Sequence, residues 1–122
     1  MLGKTDFYRI NSEEQNEDAV TFSIHINKEH PIFKGHFLGN PVTPGVAQMD
    51  IVKELIAKHL QKDVEMEAMP SCKFLAVLNP EDNADVTVEL KFSDVEDSES
   101  RRVSAVIKDE EVNYLKMVGV YK

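Results

Sequence analysis

One stretch of this 122-residue chain, Pro44 to about Gln61, is predicted to form a long helix, and most of the remainder alternates with the period of a β-strand. Proline suits the first helical position, and the hydroxyl of Thr43 is expected to cap the first turn. The stretch from Val46 to Val52 is apolar nearly all round. A helix of that kind is expected to be enclosed at one end.

The strand pattern is clearest where Val20, Phe22, Ile24 and Ile26 share one face. The predicted strands are Asp6–Ile10, Ala19–Ile26, Met69–Leu78, Ala84–Phe92, Arg102–Ile107 and Val112–Tyr121. Two polar clusters, Ser12–Asp18 and Asp94–Ser100, are predicted as loops or hairpin ends, and Lys108–Glu111 is predicted as a tight turn. One helix and one antiparallel sheet of about five or six strands predict an α+β fold, with the sheet curled around the helix. A single domain over residues 1–122 is expected.

Composition excludes several classes of function. The chain has 22 acidic and 14 basic side chains and a net charge of -8, which disfavours general nucleic-acid binding. Apolar runs reach about five residues, far below the roughly 20 that cross a bilayer, and the start lacks the apolar core of an export signal. Cys72 is the only cysteine, so neither an internal disulfide nor a thiolate metal cluster is expected. These features favour a cytoplasmic protein in which Cys72 is a small buried residue.

The segment Lys28–Thr43 before the helix is long and irregular, with two prolines and two glycines. Loops of this length inside a compact domain are often functional. It contains His36, between Gly35 and Phe37. Histidine is the side chain best matched to proton transfer near neutral pH, although a structural role in the loop is the alternative.

Two helix residues complete a candidate constellation. Asp50 is a carboxylate on an otherwise apolar stretch, so it needs a partner or stays protonated, unless it only stabilises the helix dipole. Gly45 falls among the first helical positions, whose N–H groups lack helical acceptors, and such a group suits a developing oxyanion. The axial gap between them is roughly 7–8 Å. Base, acid and oxyanion donor together suit dehydration of a thioester.

The run HPIFKGHFLGNPVTPGV, from His30 to Val46, followed by Asp50, resembles the 3-hydroxyacyl-[acyl-carrier-protein] dehydratases of the hot-dog fold. The agreement is specific over about 20 residues and weaker over most of the chain. Lys73-Phe74 and the Pro80-Glu81-Asp82 turn are also similar to the family.

The resemblance implies a homodimer of hot-dog domains with two active sites at the interface. His36 of one subunit would take the C2 proton of a (3R)-3-hydroxyacyl thioester, and Asp50 of the other would protonate the departing hydroxyl. The N–H of Gly45 would hold the thioester carbonyl, and the backbone carbonyl of Val42 would orient His36. The product would be a trans-2-enoyl thioester in fatty-acid or related lipid or polyene biosynthesis. No metal or cofactor is implied, since the acyl group arrives on the phosphopantetheine of acyl carrier protein or CoA.

The chain departs from the family pattern in three places. Leu38 stands where the family usually has proline, and Glu81 where it often has glycine. Asp50 replaces the glutamate of the common chain-elongation members. Aspartate resembles the medium-chain branch, which can also move the double bond, and the short chain resembles small dehydratases of specialised pathways. Both assignments remain open.

Three alternatives accompany the dehydratase. A helix carboxylate can also activate water, which allows a hot-dog thioesterase, and a dehydratase-like subunit can support a partner without turnover. A metal site built from the four histidines is disfavoured by their spacing. Since carrier protein is itself acidic, docking would need a basic patch. The candidates for that patch are Lys34, Lys73, Arg101 and Arg102.

Overall fold

The computed structural model describes residues 7–30, 43–80 and 83–122. Together they contain one helix and six strands. In chain order the elements are β1 (Tyr8–Asn16), β2 (Ala19–Ile26), α1 (Gly45–Leu60), β3 (Met66–Phe74), β4 (Asp85–Asp94), β5 (Arg101–Lys108) and β6 (Asn113–Tyr121).

All six strands belong to one antiparallel sheet in the order β1-β2-β4-β5-β6-β3. Side chains alternate across a pleated strand, so β2, β4 and β5 each send every second residue into the core. One side of α1 joins the same buried cluster. This arrangement confirms the predicted α+β class and the hot-dog architecture.

The helix is anchored by the side that faces the sheet and by contacts near its ends. It ends at Leu60, where Gln61 takes a left-handed conformation (φ 57°) and its N–H donates to the Ala57 carbonyl. The Tyr8 hydroxyl donates to the Glu54 carboxylate at 2.8 Å, which ties β1 to the helix. The buried helix residues follow the i, i+3, i+4 spacing of one face and are Ala47, Gln48, Ile51, Val52, Leu55 and Ile56.

Most predicted boundaries agree with the structure to within two residues, but three boundaries, in two strands, do not. Ser12–Asp18 was predicted as a loop or hairpin end. Its last two residues form the hairpin turn, whereas β1 continues through the preceding polar residues to Asn16. Backbone pairing with β2 carries it, and an edge strand needs few apolar side chains. The third strand begins and ends three to four residues earlier than predicted. Leu75 still donates its N–H to the Tyr114 carbonyl of β6, and residues 76–78 then leave the sheet and reach the start of the helix, where Thr43 N–H donates to the Leu78 carbonyl at 2.8 Å.

The two edges of the sheet differ in character. β1 is largely exposed and carries Glu13 and Glu14. β3 contains Pro70, and its pairing with β6 shifts register twice between Met66 and Ser71. Irregular pairing and proline are common at sheet edges. The β3 edge also lies beside the start of the helix, so it is the edge relevant to the candidate site.

Candidate active site at the start of the helix

The helix begins without the predicted side-chain cap. Pro44 is the N-cap residue rather than the first helical residue, and no side chain caps the turn. Thr43 is buried, and its Oγ1 has no hydrogen-bond partner in residues 7–30, 43–80 and 83–122, so the prediction that this hydroxyl caps the helix is wrong. The reason is that the backbone N–H of Thr43 is held by Leu78, which fixes the residue in the core. The first-turn N–H groups therefore keep their capacity to bind an acceptor.

Gly45 is the first residue of the helix. Its N–H donates to no acceptor among the described residues. A Cβ atom added at Gly45 would lie 2.7 Å from Cζ of Phe74. The aromatic ring thus occupies the space that a side chain would need, so a side chain at this position would have to displace the Phe74 ring, and glycine leaves room for a ligand to approach the N–H.

Asp50 lies in the second turn and is exposed in the single chain. The prediction that the apolar first half of the helix is enclosed is not met within the described part of the single chain. Val46, four residues earlier on the same side, is 73% exposed, whereas Ala47 and Ile51 are buried. The chain's own sheet covers only the opposite side of the helix, and the side that carries Asp50 is open.

Three of the predicted site residues lie outside the described residues. They are His36, Val42 and Lys34. The roles assigned to the His36 imidazole, to the Val42 carbonyl and to the Lys34 ammonium therefore stay predictions. The helix start itself, directly after this segment, is described from Thr43 onwards.

An exposed apolar patch adjoins the helix start. Its members are Val46, Phe74, Leu75 and Val77. Their exposed fractions lie between 49% and 73%, high for such large apolar side chains. Phe74 contacts Gly45, and the segment that carries Leu75 and Val77 ends at the Leu78 bond to Thr43. Contiguous apolar surface on a soluble protein marks a binding or interaction site.

The predicted docking residues do not form one compact group in the described chain. Lys73 is exposed on β3 opposite Lys116. Arg102 lies opposite Val120, four residues further along β6, or about 13 Å. Arg101 pairs with Asp94 at 3.4 Å. Of the three described candidates, only Lys73 adjoins the helix start, because it precedes Phe74.

A second groove, of about 610 Å³, lies away from the helix start around the turn between β5 and β6. Among the carboxylates that line this groove, Asp109 accepts the most hydrogen bonds. Hydrogen bonds from the Tyr114 hydroxyl, from the Asn83 amide and from the N–H groups of Glu111 and Val112 hold the pKa of Asp109 well below its usual range. Since both its oxygens already accept bonds within the turn, Asp109 organises the turn.

The described residues also bear on metal binding, on the reactivity of Cys72 and on whether the helix could span a membrane. Among residues 7–30, 43–80 and 83–122, no three His, Cys, Asp or Glu side chains are grouped to hold a metal ion. Cys72 is half-buried, and burial raises its pKa, which disfavours a thiolate nucleophile. In the part of the chain described, α1 falls short of the length and hydropathy that spanning a bilayer requires.

Sequence reasoning missed two residues beside Gly45. Phe74 was noted only as part of the family pattern, yet its ring lies against the helix start. Gln48 lies in the stretch treated as apolar nearly all round, yet it is a polar residue that is 3% exposed, and its amide Nε2 donates to the Thr43 carbonyl at 3.1 Å. A glutamine within an otherwise apolar stretch is the signal that could have identified it.

Several solved structures share the fold of this chain. A chain of the dehydratase heterocomplex ApeI:P from Xenorhabdus doucetiae superposes with a TM-score of 0.68 at 20% identity, covering 93% of this chain and 96% of that one. The (R)-hydratase from A. caviae involved in PHA biosynthesis gives 0.67 at 13% identity, covering 92% and 98%. A putative thioesterase from Shewanella oneidensis gives 0.61 at 8% identity, covering 98% and 85%. At such identities the likeness shows the shared fold.

Sequence comparison gives the family. No curated protein has a sequence that matches this chain significantly. Residues 12–110 match the model of the ApeI-like family, described as ApeI dehydratase. That match spans most of the chain, including the helix with Gly45 and Asp50. The chain therefore belongs to the ApeI-like family of dehydratases, and its activity is of the hydro-lyase kind.

Proposed function

We propose that this protein dehydrates a (3R)-3-hydroxyacyl thioester to a trans-2-enoyl thioester. The observation that carries the proposal is the helix start, where the Gly45 N–H has no acceptor among the described residues and the Asp50 carboxylate lies on the open side one turn further on. Their axial separation of roughly 7–8 Å accommodates the short run from the thioester carbonyl to C3. Membership of a dehydratase family supports the same chemistry.

The proposed reaction divides three tasks among three groups. The imidazole of His36 takes a proton from C2, and the electrons form the C2–C3 double bond. Asp50 delivers a proton to the C3 hydroxyl, which leaves as water. The N–H of Gly45 stabilises the negative charge that develops on the thioester carbonyl oxygen, and such donors are commonly worth about 10²–10³ in kcat. The Val42 carbonyl orients His36. No metal or redox cofactor takes part in these steps.

We propose that the active form is a homodimer joined along the open side of the helix start. The apolar patch of Val46, Phe74, Leu75 and Val77 supports this, because it adjoins a sheet edge whose β3 strand has no second neighbour. A partner seated there would cover Asp50 and desolvate its carboxylate. In this arrangement His36 of one subunit meets Asp50 of the other.

The first experiment measures formation of enoyl thioester by its absorbance with 3-hydroxyacyl thioesters of several lengths. We expect turnover by the wild type and loss of at least about 10²-fold in His36→Ala and Asp50→Asn, since each group acts on a transferring proton. His59→Ala, at the far end of the helix against Phe92, and Asp63→Asn, on an exposed turn, are the matched controls. Undiminished activity in His36→Ala would remove that residue from the mechanism.

Mixing the two inactive variants tests the shared site. A hybrid of His36→Ala with Asp50→Asn contains one intact site and one site that lacks both groups. Random reassortment makes half of the dimers hybrids, so about a quarter of wild-type activity returns if each site uses both subunits. No recovery after confirmed subunit exchange would show that each site belongs to a single chain.

A complex of two different hot-dog chains is the second candidate. The solved structure that resembles this chain with a TM-score of 0.68 is a heterocomplex, and this observation favours testing the chain as one half of such a pair. An isolated protein that forms dimers yet dehydrates nothing until a second hot-dog chain is added would support that candidate. Release of free thiol from an acyl thioester, without enoyl product, would instead support a thioesterase.

We propose that the substrate arrives on the phosphopantetheine arm of acyl carrier protein or CoA, with Lys34, Lys73, Arg101 and Arg102 as the docking candidates. Lys73 is the described candidate nearest the helix start. Lys73→Glu is expected to lower kcat/KM for the carrier-bound substrate severalfold, and Lys122→Glu, at the chain end, is the control. Unchanged kcat/KM for Lys73→Glu and for the fourfold neutralised variant, on both carriers, would contradict the docking role.

A further inference from the structure

We infer that Gln48 is a positioning residue that fixes the backbone before the helix and thereby sets the direction of the Gly45 N–H. The inference rests on the proposed dehydratase function, in which that N–H is the donor to the thioester oxygen. Gln48 does not touch the reacting atoms in this scheme. It acts through the peptide units of Thr43 and Pro44, which lead directly into Gly45.

The first support is the set of hydrogen bonds around these peptide units. The side-chain Nε2 of Gln48 donates to the Thr43 carbonyl at 3.1 Å, and its backbone N–H donates to the Pro44 carbonyl at 3.0 Å. On the other side, Thr43 N–H donates to the Leu78 carbonyl at 2.8 Å. The two peptides that precede Gly45 are therefore held by Gln48 through their carbonyls, and the N–H one peptide earlier is held by the segment after β3.

The second support is the absence of any other device for this task among the described residues. Pro44 offers no N–H and no capping side chain, and the Thr43 hydroxyl is unpaired. A carbonyl can only accept, so the Gln48 amide must present its NH₂ group to Thr43. Gln48 thus holds the backbone at the helix start by donating to a carbonyl, and it leaves the first-turn N–H groups, which a capping side chain would bind, available.

The third support is the loss of stability caused by burying a polar side chain at position 48. The residue is 3% exposed, and its Oε1 atom is buried with no hydrogen-bond partner among the described residues. An unsatisfied buried acceptor is destabilising, and a methionine would fill the same space without it. Residues that break local rules of packing are expected at functional sites. The donor bond to Thr43 is the one feature of Gln48 that methionine cannot supply.

The test compares Gln48→Met with Gln15→Met, which makes the same chemical change on the exposed edge of β1. Both variants are first shown to be folded by circular dichroism and thermal melting. For Gln48→Met we expect kcat to fall by about tenfold or more with KM changed less than about threefold, because the donor acts mainly in the transition state. We expect Gln15→Met to match the wild type.

Gln48→Glu supplies a pH readout and a second variant should Gln48→Met not fold. An ionised glutamate cannot donate to the Thr43 carbonyl, whereas a protonated one can. The ratio of kcat for Gln48→Glu to kcat for Gln48→Met should therefore rise as the pH falls, and division at each pH removes the titration of His36. With Gln48→Met unfolded, Gln15→Met becomes the reference in the same ratio.

The amide resonance of Gly45 in a ¹⁵N-labelled sample is the readout that does not need turnover. We expect it to shift in Gln48→Met and not in Gln15→Met. If the wild type converts no 3-hydroxyacyl thioester, the proposed function fails, and the Gly45 resonance alone decides the positioning role. An unmoved resonance in a folded Gln48 variant overturns the inference, and so does a moved resonance with unchanged kcat in an active enzyme.

Discussion

The ring of Phe74 stands where a side chain on Gly45 would have to go. An added Cβ would approach Cζ of the ring to 2.7 Å, closer than real Cβ atoms come to a neighbour. The glycine at the helix start is therefore tied to a residue 29 positions away at the end of β3. This contact joins the helix to the sheet edge at the point where the proposed oxyanion donor lies.

The effect of Gly45→Ala on the free energy of unfolding is expected to change sign when Phe74 is replaced by alanine. In the wild type it lowers the free energy of unfolding, because the new methyl group displaces the ring. In a Phe74→Ala background it raises that free energy by up to about 1 kcal/mol, because alanine is the better helix former. Denaturant melts of the four proteins measure this cycle. Equal effects of Gly45→Ala in both backgrounds would show that the ring is not the obstacle.

Tyr121→Phe is expected to leave the melting temperature at neutral pH unchanged or higher. In the part of the chain that the structure describes, the buried hydroxyl of Tyr121 has no hydrogen-bond partner, so its removal abolishes an unsatisfied group. Burial first, and the nearby Cys72 second, raise the pKa of Tyr121 to about 12. A raised folded-state pKa means that stability is full below the unfolded value of about 10 and is lost between there and about 12. Thermal melts across this range should show a smaller alkaline loss in Tyr121→Phe, and an identical loss would contradict the assignment.

Asp109→Asn is expected to destabilise the protein at neutral pH and much less in acid. The carboxylate accepts hydrogen bonds from Tyr114, Asn83 and the turn backbone, which lower its pKa. A depressed folded-state pKa gives stability that is present above the unfolded value of about 4 and is lost as the pH falls below it. Melting temperatures of wild type and variant should thus converge below about pH 4. Asp97→Asn, in the exposed turn after β4, should show no such convergence.

Val46→Glu is expected to separate the proposed dimer without unfolding the chain. Val46 is 73% exposed in the single chain, so a charge there is tolerated by the monomer. Within an apolar interface the same charge would be buried without a partner. Light scattering should give the monomer mass, and activity should fall with it. Lys58→Glu, on the exposed far half of the helix, is the control. A Val46→Glu dimer with full activity would place the interface elsewhere.

The elements that follow hydrophobic periodicity could be predicted from the sequence. β2 coincides with its predicted range, and α1 differs by one residue at each end, because burial of one face sets the pattern. The second half of β1 was not predicted, because it is held by backbone pairing at the sheet edge and its sequence has no apolar alternation beyond Ile10. The early end of β3 depends on the bond between Leu78 and Thr43, a tertiary contact.

The candidate site could likewise be predicted only in part from the sequence. Gly45 and Asp50 follow from their place in the helix, and the structure places them at its start as predicted. The exposure of Asp50 did not follow, because periodicity shows that a helix stretch is apolar and does not show which chain covers it. The role of Gln48 depends on one side-chain bond to a carbonyl five residues earlier, which spacing alone does not reveal.

The contrast between the sheet's two borders limits how copies of this chain can associate. The β1 border carries Glu13 and Glu14, so a second copy that approached it with the same border would meet like charges. The β3 border, with apolar side chains at its end, lacks this repulsion. The proposed dimer would therefore join two copies through their β3 borders, and the acidic β1 borders left outside it would disfavour the addition of further copies in the manner of a fibre.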